Sequence, residues 1–204
     1  GLGDDIPPGE LNKLTKAGVL VPMRVFSCRR PDMTGVETSG GEWTDRGAAE
    51  VELALVIGRT ASYVDERESM DYVAGYSTFC DFSERAFQKE MGGQWTKGKS
   101  ADSFAPMGPW LVTADEVSDS QKLRLWCKVN GELRQNSWTG DMSFTVRQLV
   151  SYVSRFMTLL PGDIIATGTP AGVGLGFDPP KFLQVGDRVT VEIDGLGKLS
   201  NVIK

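Results

Sequence analysis

Apolar residues alternate with other types along three stretches of the chain. Between Glu50 and Gly58 the odd positions Val51, Leu53, Leu55 and Ile57 form one apolar face, while Glu50, Glu52, Ala54 and Val56 share the other; this is the period of a β-strand. Leu123, Leu125, Cys127 and Val129 repeat the alternation and run into Asn130-Gly131. That pair favours a two-residue hairpin because both residues accept positive φ, and Glu132-Leu133-Arg134-Gln135 is the predicted return strand. Val189, Val191 and Ile193 lead likewise into Asp194-Gly195, with Leu196-Gly197-Lys198-Leu199 coming back. The period becomes helical at Val146, Leu149, Val150, Val153, Phe156, Met157 and Leu160, with Ser143 or Thr145 as cap and Pro161-Gly162 as stop. A shorter helix is predicted near Met70 to Ala74. Ile164 to Thr167 reads as a strand that enters Gly168-Thr169-Pro170 and a glycine-rich turn at 171–176.

Glycine supplies 24 of 204 residues, well above the ~7% of average proteins, so the turns are many and the expected class is mainly β with a few helices (α+β). No repeat or linker divides the chain, and its length suits one sizeable core. The first 45 residues break the pattern with Pro7-Pro8, Pro22, Pro31 and few periodic apolar positions; they read as an irregular N-terminal arm or lid, with the main domain at 46–204. Opening on Gly1 rather than Met leaves room for a longer parent protein.

Charge narrows the partners. Lys+Arg is 22 against Asp+Glu 27, a net charge of -5, so no basic face is expected to meet nucleic acid or anionic lipid. The chain has neither a long apolar run nor a signal-peptide start, which makes a cytoplasmic protein the expectation. Cys28, Cys80 and Cys127 are odd in number and widely spaced, as for reduced thiols. The count that excludes most is zero histidines, because Ser-His-Asp and Cys-His nucleophiles and His-ligated zinc all require an imidazole. Chemistry here rests on carboxylates, Lys, Arg, amides and hydroxyls.

Three motifs could carry that chemistry. Gly93-Gln94-Trp95-Thr96-Lys97-Gly98-Lys99-Ser100 fits the phosphate-loop pattern GxxxxGK[ST]. Its context is wrong, since the approach, Arg85 to Glu90, is polar and the exit meets Pro106 and Pro109, whereas a phosphate cradle needs a buried strand before it and a helix after it. Glu50-x-Glu52 places two carboxylates on one strand face, their Cα atoms roughly 6.5 Å apart. They read either as the solvated face of an edge strand or as oxygen ligands for Mg2+, Mn2+ or Ca2+. Asp81, Arg85 and Gln88 share one side of a helical turn. They read as a surface ion pair or as a site for an oxyacid.

The ordered set goes further than any one motif. Glu50-x-Glu52-Leu53-Ala54-x-Val56-Ile57-Gly58, Asp81-x-Ser83-x-Arg85-x-x-Gln88, Gly98-Lys99-Ser100-x-Asp102-x-Phe104-x-Pro106-x-Gly108-Pro109 and Pro161-Gly162-Asp163-Ile164-Ile165-x-Thr167-Gly168-Thr169-Pro170-x-Gly172-Val173-Gly174 resemble the fumarylacetoacetate hydrolase family. Glu84-Arg85-Ala86-Phe87-Gln88 and the Gly92 to Ser100 stretch are most similar to its branch of diketo-deoxy sugar acid hydrolases. The resemblance implies a mixed β-sandwich roll, commonly a homodimer, with a catalytic domain at 46–204 that takes a small 2-oxo or 2,4-dioxo acid. It implies Glu50, Glu52 and Asp81 as ligands of the cation, Arg85, Gln88, Gly168 and Thr169 as substrate contacts, and Lys99 as the active-site lysine beside a metal-stabilised enolate. It also implies hydrolysis of a C–C bond by water activated through a His-Glu pair near the N-terminus. Here Pro7 stands where that histidine is expected and Glu10 near the glutamate. Glu10 is therefore the candidate base; decarboxylation, keto-enol tautomerisation and a non-catalytic relative are the alternatives.

Overall fold

A computed structural model describes residues 35–36 and 46–204 of the chain. Glu10, Pro7, Cys28 and nearly all of the expected arm at 1–45 lie outside the described residues. The strands are β1 (Gly35–Val36), β2 (Gly47–Ile57), β3 (Val73–Glu84), β4 (Met107–Thr113), β5 (Arg124–Val129), β6 (Glu132–Trp138), β7 (Ile164–Ala166), β8 (Arg188–Ile193) and β9 (Gly197–Ile203). Two α-helices join them, α1 (Arg85–Lys89) and α2 (Val146–Ser154), along with short 3-10 turns.

The strands form two sheets, β1-β9-β8-β5-β6 and β4-β3-β2-β7. Every pairing is antiparallel except that of β1 with β9. The apolar stripes found in the sequence meet between the sheets: Val51, Leu53, Leu55 and Ile57 of β2 and Phe82 of β3 join Leu125, Val129, Val189, Val191 and Ile193 in one core. The second face of β2 is covered as well, Ala54 packing with Phe79 and Ala105, and Val56 with Ala74 and Leu111. All eleven residues of β2 are buried. Glu50 and Glu52 thus sit on a buried strand, paired with β3 on one side and lined on the other by the loop that follows β7, rather than on a solvated edge.

Both predicted hairpins form, β5-β6 around Asn130-Gly131, where both residues take positive φ, and β8-β9 around Asp194-Gly195. Thr145 is the cap of α2: its Oγ1 accepts from Gln148 N while Gln148 Oε1 accepts from Thr145 N, a reciprocal capping box. The helix stops at Ser154, short of the predicted Leu160, because Leu159 is drawn into a two-way backbone bridge with Ala61. Phe156 and Met157 are consequently exposed. The helix expected at Met70 to Ala74 is a single 3-10 turn, Ser69–Tyr72, after which Val73 opens β3. Among the described residues, no helix is long and apolar enough to cross a membrane.

Candidate active site

Glu50 of β2 lies directly opposite Asp81 of β3, and Glu52 is on the same face two residues along. A carboxylate oxygen from each of the three lies within 4.8 Å of the other two. Asp81 is a strand residue; the helical turn expected to carry it begins only at Arg85, since β3 runs through Glu84. Glu84 ends the strand and caps α1, its Oε1 accepting from Ala86 N at 3.0 Å. This break puts Arg85 and Gln88 over the carboxylates. One terminal nitrogen of Arg85 donates to Glu50 Oε1 and the other to Gln88 Oε1 at 2.7 Å. The Gln88 Nε2 donor, fully buried, has no partner among the described residues.

Lys99 comes from the 3-10 turn Trp95–Lys99. Its Nζ donates to Glu50 Oε2 and to Asp81 Oδ2, both at 2.6 Å. The turn reaches that depth because residue 98 is glycine: a Cβ there would lie 2.7 Å from both Gln88 Cβ and the Glu84 carbonyl oxygen. No strand enters the Gly93 to Ser100 stretch and no helix leaves it, so the phosphate-loop pattern is a coincidence of letters.

Burial, with the Asp81 charge added, pushes the Glu52 carboxyl up to about 8. Burial likewise raises Asp81 to about 6, against the opposing pull of Lys99. Burial disfavours the charge on Lys99, but Asp81 and Glu50 more than offset this and hold its pKa above the usual lysine value. Glu52 accepts a hydrogen bond from Gly168 N at 2.9 Å. Like charges packed this closely seek a cation, and three carboxylates with neither thiolate nor imidazole are the donor set of a hard divalent ion. The residues present fit such an ion.

Gly168, at φ +90°, and Thr169 form the wall beside Glu52. Thr169 Oγ1 donates to Val51 O at 2.9 Å and accepts from Gln135 Nε2 at 2.8 Å. Gln135 carries no signal in the sequence, because an amide in the polar strand Glu132–Trp138 looks like any outward residue. It is the single buried position of that strand. A cleft of about 430 Å³ borders the Gly168-Thr169 wall, lined also by Trp138, Met142, Phe144 and Leu149 among others. Cys80 and Cys127 are free and buried, as expected of reduced thiols.

Comparison with known proteins identifies the lineage. The profile of the fumarylacetoacetate (FAA) hydrolase C-terminal family matches residues 24–204. The chain belongs to the fumarylacetoacetate hydrolase family. A Burkholderia ambifaria relative that bears only a provisional hydrolase name is 58% identical over 150 residues, 73% of this chain and 53% of that protein. The chain thus spans about half the length of the curated relatives it matches. Fumarylacetoacetate hydrolase from psychrophilic Exiguobacterium antarcticum superposes with a TM-score of 0.80 at 42% identity, over 84% of this chain and 61% of that one. Fumarylpyruvate hydrolase from Pseudomonas aeruginosa, solved in complex with Mn2+ and pyruvate, gives 0.74 at 33%, over 84% and 70%. Other family neighbours are named as isomerases. The two-sheet architecture is that of the family, and its named members are enzymes, both hydrolases and isomerases.

Proposed function

We propose that this chain is the catalytic part of a divalent-metal-dependent hydrolase that cleaves a C–C bond of a 2,4-dioxo acid, either an acylpyruvate or a diketo-deoxy sugar acid. The observation that carries the reading is the convergence of Glu50, Glu52 and Asp81, with Lys99 and Arg85 donating to the same Glu50. Mg2+ is the cation we assign to Glu50, Glu52 and Asp81, with Mn2+ or Ca2+ able to replace it; when bound it supplies positive charge to the carboxylate and adjacent carbonyl of a 2-oxo acid.

The chain's own residues do the remainder. Arg85 and the open Nε2 of Gln88 bind the substrate carboxylate, and the Gly168-Thr169 wall orients it. Water adds to the distal carbonyl and its proton passes to Glu10, the base this reading assigns in a chain without histidine. The C–C bond then breaks, leaving a carboxylic acid and the enolate of the shorter 2-oxo acid. Lys99, already cationic, stabilises that oxyanion until it is protonated.

The test is the ultraviolet decay of a simple 2,4-dioxo acid with purified protein and Mg2+, repeated with EDTA. Metal-dependent decay with pyruvate released supports the hydrolase and makes Glu10 the next residue to replace. The missing histidine and the isomerase-named neighbours favour a second reading, decarboxylation or keto-enol tautomerisation of a 2-oxo acid such as oxaloacetate. Turnover of oxaloacetate without decay of the dioxo acid would select it. The reading includes a homodimer, checked by light scattering.

A further inference from the structure

Among the described residues, strand β2 lacks a strand neighbour on its β7 side between Glu50 and Leu53, because β7 pairs only with Ala54 to Val56. Backbone groups buried there still require partners. Thr167 N donates to Leu53 O at 3.1 Å, and Thr169 Oγ1 donates to Val51 O at 2.9 Å. The Val51 N–H is taken by Gln135 Oε1 at 3.0 Å. Gln135 Nε2 in turn donates to Thr169 Oγ1 at 2.8 Å and to Pro170 O at 2.9 Å. One amide on the opposite sheet therefore completes the ladder of β2 and holds the loop that runs along it. Two anchored residues, Thr167 and Thr169, bracket Gly168, whose N–H meets Glu52 Oε2. Further on, Gly172 presses against β6, where a Cβ would lie 2.0 Å from Arg134 O.

From this geometry we infer that Gln135 is a positioning residue for the active site: through Thr169 and Pro170 it fixes the Gly168 N–H that aims the Glu52 carboxylate. Its hydrogen bonds go to Val51, Thr169 and Pro170, none of them assigned to the cation, and it acts on Glu52 through the loop. The inference rests on the metal-site reading of Glu50, Glu52 and Asp81. Groups that orient a metal ligand typically carry about 10- to 100-fold in metal affinity.

The experiment is Mn2+ titration of the full chain by calorimetry, with no substrate present, for wild type, Gln135→Leu, Gln135→Glu and Thr169→Val. Gln135→Leu is expected to weaken Mn2+ binding about 10- to 100-fold. Gln135→Glu keeps an acceptor for Val51 N but loses the donor to Thr169 and Pro170, and is expected to lose affinity nearly as far. The Gln135→Leu, Thr169→Val double variant should fall no further than the larger single loss, since both act along one chain of bonds. Val191→Ala, buried in the core between the sheets, lowers stability without touching the loop and should bind Mn2+ as wild type does. Should Gln135→Leu fail to fold, Gln135→Glu and Thr169→Val carry the same comparison. Wild-type Mn2+ affinity in the folded variants, or additive losses in the double variant, overturns the inference. Glu52→Ala separates the two levels: if it too binds Mn2+ normally, the metal-site reading has failed, whereas its loss beside intact binding in Gln135→Leu removes only the positioning role.

Discussion

The β2-β3 pair and the β8-β9 pair are both antiparallel ladders, yet they handle their polar residues in opposite ways. β8 alternates buried and open positions, with Val189, Val191 and Ile193 inward and Arg188, Thr190 and Glu192 outward. β2 is buried on both faces, and nearly all of β3 is too. In the β8-β9 ladder a charged residue is a solubilising choice that costs almost nothing. In the β2-β3 ladder, Glu50, Glu52 and Asp81 are held where desolvation opposes their charge, an arrangement worth keeping only if a partner restores it.

Glu52→Ala should remove this contrast most completely. Divalent-metal binding is expected to be abolished while the fold persists, read as loss of the metal-induced rise in melting temperature; an unchanged metal stoichiometry would dismiss the three-carboxylate site. Next in size, Lys99→Met should lower turnover about 100-fold with metal still bound, and wild-type turnover would make Lys99 purely structural. The pH response sharpens the comparison further. Glu52 and Asp81 titrate higher in the folded chain than their ordinary values, so the metal-free fold binds protons more tightly than the unfolded chain. Stability present below the ordinary carboxylate range is therefore lost as pH rises through about 6 and about 8. Divalent ions should bind more tightly over the same window, because protons compete for the ligands. Thermal melts from acid to mildly alkaline pH, with EDTA and with Mg2+, check both directions. On the other ladder the effects are small: Ile193→Val should cost about 1 kcal/mol, and Thr190→Ala on the outward face no more than about 0.5 kcal/mol, measured by denaturant unfolding.

The same contrast explains what could be read from the sequence. The one-sided strands announced themselves: Leu125 to Val129 before Asn130-Gly131 and Val189 to Ile193 before Asp194-Gly195 alternate because one face is wet. β3 did not, since Tyr76, Phe79, Cys80 and Phe82 mix with Ser77, Thr78 and Ser83 on a strand enclosed on both sides, and the period of two dissolves. The spacing of Asp81, Arg85 and Gln88 accordingly suggests a helical turn, which in the fold starts only at Arg85. For the site, Glu50-x-Glu52 was legible as a spacing, while the union of Asp81 and Lys99 with it came from family resemblance. Gln135 was invisible because its importance lies in what its amide meets across the sheets. The apolar stripe to Leu160 overstates α2 because the Ala61 bridge, 98 residues upstream of Leu159, competes with a local pattern that otherwise favours helix.

Burial of β2 on both faces also bears on how the chain finds its fold. Side chains alternate with a period of two, so slipping β2 by one residue against β3 would carry Glu50 and Glu52 into the apolar space between the sheets and turn Val51 and Leu53 toward Asp81 and Lys99. Two unpaired carboxylates in that space cost several kcal/mol each, far more than a misplaced Val or Leu. The pair of glutamates thus penalises the wrong alignment while the sheet is assembling, and the residues that give the site its chemistry also tell the strand where to stop.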